Sequence, residues 1–260
     1  HDAIRGLVVV ACESQSTEEL TTVSHDGAGD VIYAIDKISE SILVHWFTRE
    51  VAANEPIVVI GEGLPGGRIV LPAGAKEQHP LFWREGTASA IRQALRQAKA
   101  VAAEVVAIGV SGQQHGFVPL DKHGEVIRPA KLWCDTTTAA ECEEIMAAHG
   151  GLKGTIKKQG IGVLPGFTAS KILWLKKREP KNFAKLATVL LPHDYLNFWL
   201  TGERVMEYGD ASGTALLDVR KRKWCETTLT AIDDDLADKL PRLISSEQPA
   251  GRLQAAVARE

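Results

Sequence analysis

Between residues 31 and 71 the apolar positions come in short runs: 31–35, 42–47, 57–60 and 68–71, each bounded by polar or glycine-containing turns. Runs of this length, rich in β-branched residues, predict strands, and their succession predicts an antiparallel start. The stretch before them has no such order. Residues 13–30 are polar without a helical or a two-residue period, so residues 1–30 read as an unplaced N-terminal extension and 31–260 as the domain proper. The period changes at Pro80. Phe82, Ile91, Leu95, Ala98 and Val101 or Ala102 fall on one side of a 3.6-residue repeat, which predicts a long amphipathic helix over 80–104.

The apolar run 105–110 then reads as a buried strand, the polar 111–116 as a turn at its end, and 117–120 as a further short strand. A polar turn at a strand end is where α/β proteins bind ligands. Helices are predicted at 138–149, 170–178 and 195–200, with a strand at 188–191. The fold class is therefore α/β. No short solenoid-type repeat and no low-complexity tract interrupts it.

Composition narrows the classes. Hydrophobic residues make up 45% and charged residues 24%, the balance of an ordinary globular protein. A formal charge of −3 gives no footprint for nucleic acid, which is excluded as a partner. The basic cluster Arg220-Lys221-Arg222-Lys223 beside Trp224 reads as a solvated turn. Cys12, Cys134, Cys142 and Cys225 form no Cys-x-x-Cys pair and have no histidines at finger-like spacing, so free thiols are expected rather than a zinc site. The apolar stretch before Cys12 is shorter than the roughly 7–15 residues of an export signal. No run approaches the roughly 18 apolar residues of a membrane span. A soluble protein of the cytoplasm, with no membrane partner, is the expectation.

Several strings carry candidate chemistry. Gly61-x-Gly63-x-x-Gly66 follows a strand, but Pro65 and Gly67 disfavour the helix that a dinucleotide fingerprint must open into, so a tight hairpin is the better reading. Ser111-Gly112-Gln113-Gln114-His115-Gly116 sets two amides and an imidazole between glycines, groups that suit a polyhydroxylated ligand. Alone, the histidine reads first as a loop residue bonded to its own backbone. Trp133-Cys134-Asp135 pairs an aromatic face with a carboxylate, which suits sugar rings as well as ordinary core edges. Three further blocks follow: Leu164-Pro165-Gly166-Phe167-Thr168-Ala169-Ser170-Lys171-Ile172-Leu173-Trp174, Leu190-Leu191-Pro192-His193-Asp194-Tyr195-Leu196, and Asp210-Ala211-Ser212-Gly213-Thr214 running on to Asp218-Val219.

In this order the blocks resemble the N-terminal domain of the FGGY carbohydrate kinases, and most closely the xylulokinase branch. The resemblance runs from about Ala75, where Glu77-Gln78-His79-Pro80 and Trp83 match, to about Trp224. It implies an actin-like, ribonuclease-H-like α/β domain with a mixed sheet flanked by helices. It also implies ATP and Mg2+ in a cleft between this lobe and a second one, with D-xylulose as the sugar phosphorylated at its 5-hydroxyl. Position by position, Gln114 and His115 fall where the family contacts sugar hydroxyls, with Asp135 and Phe167 as further substrate-binding candidates; Gln114 stands where that branch usually has methionine.

Two departures accompany the resemblance. The family's Asp-x-Gly-Thr phosphate hairpin corresponds here to Asp36-Lys37-Ile38-Ser39, leaving Asp36 as the candidate magnesium-linked carboxylate and Ser39 as a candidate nucleotide-side hydroxyl. An Ile38 forced to positive φ there would cost on the order of 1–2 kcal/mol. The family's general-base aspartate, in a Gly-Gly-Gly-Asp-Asn-like segment, has no counterpart before Glu260, so no catalytic base is assigned and this chain alone is expected to be inactive. A degenerate sugar-binding lobe, or a kinase for another sugar or polyol, are the alternatives; a homodimer of the full-length parent stays open.

Overall fold

The computed structural model describes residues 75–259 and, before them, the backbone of four strands. The chain divides into two compact units, His1–Ala75 and Lys76–Glu260. In the first, β1 (Val23–Gly27) pairs antiparallel with β2 (Asp30–Tyr33), and β3 (Ile57–Ile60) with β4 (Arg68–Leu71). Strands β3 and β4 have the predicted limits, and the strand after Gly66 runs antiparallel to the one before Gly61, the relation expected of a hairpin. Strand β1 falls within 13–30, where the sequence offers no assignable period: Val23-Ser24-His25-Asp26-Gly27 has a single apolar residue, and its pairing with β2 makes it a strand. The strand predicted at 42–47, and Cys12, Asp36, Lys37, Ile38 and Ser39, lie outside the described residues.

The second unit begins with β5 (Glu77–Gln78) and helix α1 (Pro80–Ala98). Pro80 takes the first helical position, where its missing N–H is no loss, and His79 caps the helix by accepting from the Leu81 amide at 3.2 Å. Lys99, left-handed at φ 54°, ends it. The helix is therefore shorter than predicted, and Ala102–Glu104 forms a separate 3-10 turn. Its inward stripe is Trp83, Thr87, Ile91 and Leu95, while Phe82 is 61% exposed. The sequence reading set the stripe one position off at its start.

Residues 105–110 also differ from expectation. They form no strand, and Val106 is 98% exposed. An extended backbone is a strand only when a neighbour accepts its hydrogen bonds, and none of the described residues pairs with it.

The core is organised around β6 (Val118–Leu120), antiparallel to β8 (Thr188–Leu190) with Val118 opposite Leu190. Consecutive residues of a strand face opposite sides, and the apolar clusters follow that rule. Phe117 and Val189 pack with Ile145, Ile172, Leu173 and Leu175 on one side, while Val118 and Leu190 pack with Ala130 and Tyr195 on the other. The first side is covered by α2 (Ala139–Ala147), α4 (Thr168–Arg178) and α5 (Pro180–Phe183), with α3 (Leu152–Gln159) packed on α2. The second meets α1 and α6 (Pro192–Thr201).

Strand β7 (Ala130–Lys131) pairs antiparallel with β5, and β9 (Val205–Glu207) pairs parallel with β12 (Arg242–Ile244). Between these last two lie α7 (Tyr208–Ser212), the hairpin of β10 (Leu217–Asp218) and β11 (Lys223–Trp224), and α8 (Glu226–Ile232). The basic cluster runs through the turn of that hairpin into β11 and is exposed, as its solvated reading expects, and Asp218 accepts from the amides of Arg220 and Lys221. Among the described residues no helix is long and apolar enough to cross a membrane.

Candidate functional site

The loop 111–116 lies where several of the sequence's motif blocks come together in space. His115 adopts φ 57°, a left-handed conformation that costs an ordinary side chain energy and persists only when its surroundings fix it. Its surroundings do so from two sides. Lys171 Nζ and Thr168 Oγ1 both donate to the His115 carbonyl, at 2.8 and 3.2 Å, and Lys171 also donates to the Gly166 carbonyl at 2.6 Å. The Phe167 ring meets the His115 imidazole at 4.7 Å between centroids, tilted by 57°.

Two glycines are required by close approach rather than by turn geometry. A Cβ at Gly213 would lie 2.0 Å from His115 Cε1, so only glycine lets α7 carry the imidazole against its C-terminal end. A Cβ at Gly116 would lie 2.6 Å from Pro192 Cγ, so the loop can sit on the first turn of α6. The Lys131 carbonyl accepts from Phe117 N at 2.9 Å, which ties β7 and the following Trp133-Cys134-Asp135 to the same loop.

Asp135 is placed behind this assembly. It is fully buried, one oxygen accepting from Lys76 N (2.9 Å) and Lys131 Nζ (3.0 Å), the other from Thr137 N (3.1 Å) and Thr137 Oγ1 (2.6 Å). All its acceptor sites are engaged inside the protein. Lys131, itself buried, also stands 3.9 Å from the Trp174 ring centre, so this ion pair is held by a cation–π contact as well. Gln114 is exposed, and the neighbouring Gln113 rather than Gln114 lines a cavity of about 330 Å³ with Trp83, Thr87, Pro192 and Leu196. The structure thus brings His115 and Phe167 into contact, buries Asp135 against Lys131 and Thr137, and leaves Gln114 at the surface.

A second cavity of about 400 Å³ is lined by residues that the sequence reading did not select, among them His193, Asp194, Asn197, Glu207 and Asp210. His193 Nε2 lies 3.1 Å from Asp194 and 3.0 Å from Asp210, with neither carboxylate at linear hydrogen-bond geometry. Burial alone would lower its pKa, but the two carboxylates outweigh it and hold the imidazole at about 10. Asp194 is pushed up by burial, and Asp210 is pulled down by His193. His115 moves the other way: burial first, then the charge of Lys171, lower its pKa against a weaker pull from Asp210. Two imidazoles in neighbouring elements are therefore held in opposite protonation states, and His115 Nδ1 is buried without a hydrogen-bond partner.

The signal for His193 and Asp210 was present in the sequence, since both stand inside recognised blocks. Thr168 and Lys171 stand inside a recognised block as well, but neither was selected, Lys171 reading as an ordinary residue of the helix predicted at 170–178. Among the described residues no group of three or more His, Cys, Asp or Glu side chains converges as a metal site would, and Asp36 and Ser39 are not among them.

The family described as FGGY carbohydrate kinases, N-terminal domain, matches residues 67–260. The xylulose kinase of Haemophilus influenzae is 41% identical over 207 residues, 77% of this chain and 42% of that protein. That of Escherichia coli is 39% identical over 183 residues, 70% and 37%. This chain spans about two fifths of the length of these curated relatives. Among solved structures, a xyloylose kinase from Brucella ovis superposes with TM-score 0.66 at 32% identity, covering 78% of this chain and 40% of that one. Plasmodium falciparum glycerol kinase with ADP gives 0.66 at 21% identity over 79% and 44%, a likeness of fold alone. The fold these comparisons share is the actin-like, ribonuclease-H-like α/β fold.

Proposed function

This chain belongs to the FGGY family of carbohydrate kinases, and from that premise we propose that it forms the sugar-binding lobe of an ATP-dependent kinase that phosphorylates D-xylulose at its 5-hydroxyl. The observation that carries the reading is the convergence on His115: a left-handed residue whose carbonyl is held by Lys171 and Thr168, whose ring rests on Phe167 and Gly213, and whose Nδ1 is orphaned. Backbone strain of this kind, held in place by several elements, is characteristic of functional sites.

In this reading residues 31–260 form the lobe, residues 1–30 an extension, and His115 and Gln114 meet the sugar hydroxyls. Phe167 supplies an apolar face for the carbon skeleton, and Asp135 holds the site from beneath through Lys131. MgATP is the second substrate of the whole protein, with Asp36 and Ser39 on the nucleotide side. Phosphoryl transfer depends chiefly on positioning and on charge stabilisation, and positioning the acceptor is what the described residues are suited to do. Free Cys134, Cys142 and Cys225 are consistent with a cytoplasmic setting, where thiols stay reduced.

Calorimetric titration of the chain with D-xylulose, ribulose, gluconate and glycerol tests the reading. D-xylulose is expected to bind in preference, with His115→Ala weakening it about tenfold or more, the loss of roughly one good hydrogen bond to a buried partner. Preference for another polyol would reassign the substrate. Binding indifferent to His115→Ala would remove this loop from the site.

A further inference from the structure

The sugar reading leaves one buried cation without a role. Lys171 is fully buried on α4, yet among the described residues its ammonium meets no carboxylate as an ion pair: its hydrogen bonds go to the carbonyls of His115 and Gly166. A buried lysine normally has a carboxylate partner, because removing its charge from water is costly. The carboxylate whose charge reaches it, Asp135, is occupied by Lys131, Lys76 and Thr137.

We propose that Lys171 is a positioning residue for sugar recognition, fastening the left-handed His115 peptide to the turn before Phe167 and setting a cation beside the His115 imidazole. The inference rests on the reading of the 111–116 loop as the sugar site. Neutral imidazole offers a donor and an acceptor together, which matches a sugar hydroxyl pair, whereas imidazolium offers donors only. The influences on His115 are opposed and sum to a lowered pKa. Burial is the largest and Lys171 on α4 adds to it, while Asp210 on α7 and the Gly213 backbone favour protonation; Asp210 is itself paired with charged His193 on α6. Around Lys171 stand Asp135, Lys131, Cys134 and Cys142, and burial, the largest influence, brings its own pKa down to about 7. It is therefore protonated in the range below pH 6.5 where His115 would otherwise take up a proton.

The test is Lys171→Met, close in volume and uncharged, made in the full chain. Without sugar, NMR titration of the His115 imidazole is expected to show its pKa rising toward 6.5. With D-xylulose, calorimetry is expected to show about tenfold weaker binding at pH 7.5, and a decline on acidification that begins at higher pH than in the parent. A purely structural lysine would lower stability without moving the imidazole titration, so an unchanged His115 pKa overturns the proposal, as does unchanged sugar affinity. Should Lys171→Met not fold, Thr168→Val removes the companion donor to the same carbonyl. About threefold weaker binding is then expected, and unaltered binding is the refuting result. His115→Ala separates the two readings. If it leaves D-xylulose binding intact the loop is not the sugar site, while the sugar-free titration still decides what Lys171 does to His115.

Discussion

At the scale of single residues, charge placement decides more here than residue type. His193 and His115 share a side chain and differ in environment: one lies between two carboxylates, the other between a lysine and the end of a helix. The folded pKa of His193, about 10, lies above its unfolded value near 6.5. Its stabilising contribution is thus complete below pH 6.5 and is lost as pH rises through about 10. Urea unfolding at pH 6, 8 and 10 is expected to show stability falling across that window, and His193→Gln to flatten the fall. The same variant leaves buried Asp194 without its cation, so at pH 7 a loss on the order of 3 kcal/mol is expected. A variant with the parent's stability and pH slope would show that the triad is not ionised as described. None of this ionisation was legible in the sequence. The string Pro192-His193-Asp194 identifies the residues, but only α7 delivering Asp210 makes an imidazolium of His193.

At the scale of elements, the sequence was most informative where apolar periodicity and pairing agree. Strands β3, β4, β6 and β8 and helices α2, α4 and α6 lie where predicted, within two or three residues at the ends. It failed where a backbone state or a missing partner decides. Helix α3 went unread because Leu152-Lys153-Gly154-Thr155-Ile156-Lys157-Lys158-Gln159 has few apolar residues and an internal glycine. Residues 105–110 were read as buried because the run is apolar, but apolarity does not supply a ladder. Helix α1 was extended to 104 because periodicity continues past the point where Lys99 turns left-handed. That last feature is testable. Glycine reaches φ 54° without a Cβ penalty, so Lys99→Gly is expected to raise stability by about 0.5–1 kcal/mol in chemical denaturation. A loss of that size would mean the helix continues beyond Ala98.

At the scale of the molecule, the site depends on the β6–β8 pair being apolar on both faces. Phe117 and Val189 anchor one layer, Val118 and Leu190 the other, and Leu191 a third cluster with Met206, Ala211 and Leu217. The loop 111–116 leads into β6, and α6 starts directly after β8. The residues that hold His115 therefore arrive from segments remote in sequence and are in place only when the unit of residues 76–260 is folded. Block order along the chain announced the family, but the convergence on one carbonyl could not be read from it, since Lys171 lies 56 positions from His115. A ligand bound at such a site stabilises the folded unit by mass action, by about 2.7 kcal/mol at a hundred times its Kd. D-xylulose at that excess is expected to raise the unfolding midpoint accordingly. Leu190→Ala, which opens the core on the α1 and α6 side of β8 without removing a side chain that holds His115, is expected to lower baseline stability by about 2–5 kcal/mol and to leave the sugar's increment unchanged. If the sugar shifts the parent's midpoint by nothing at saturation, it does not bind the folded state. If Leu190→Ala erases the increment, the loop draws its geometry from the spine itself rather than from the side chains that hold His115.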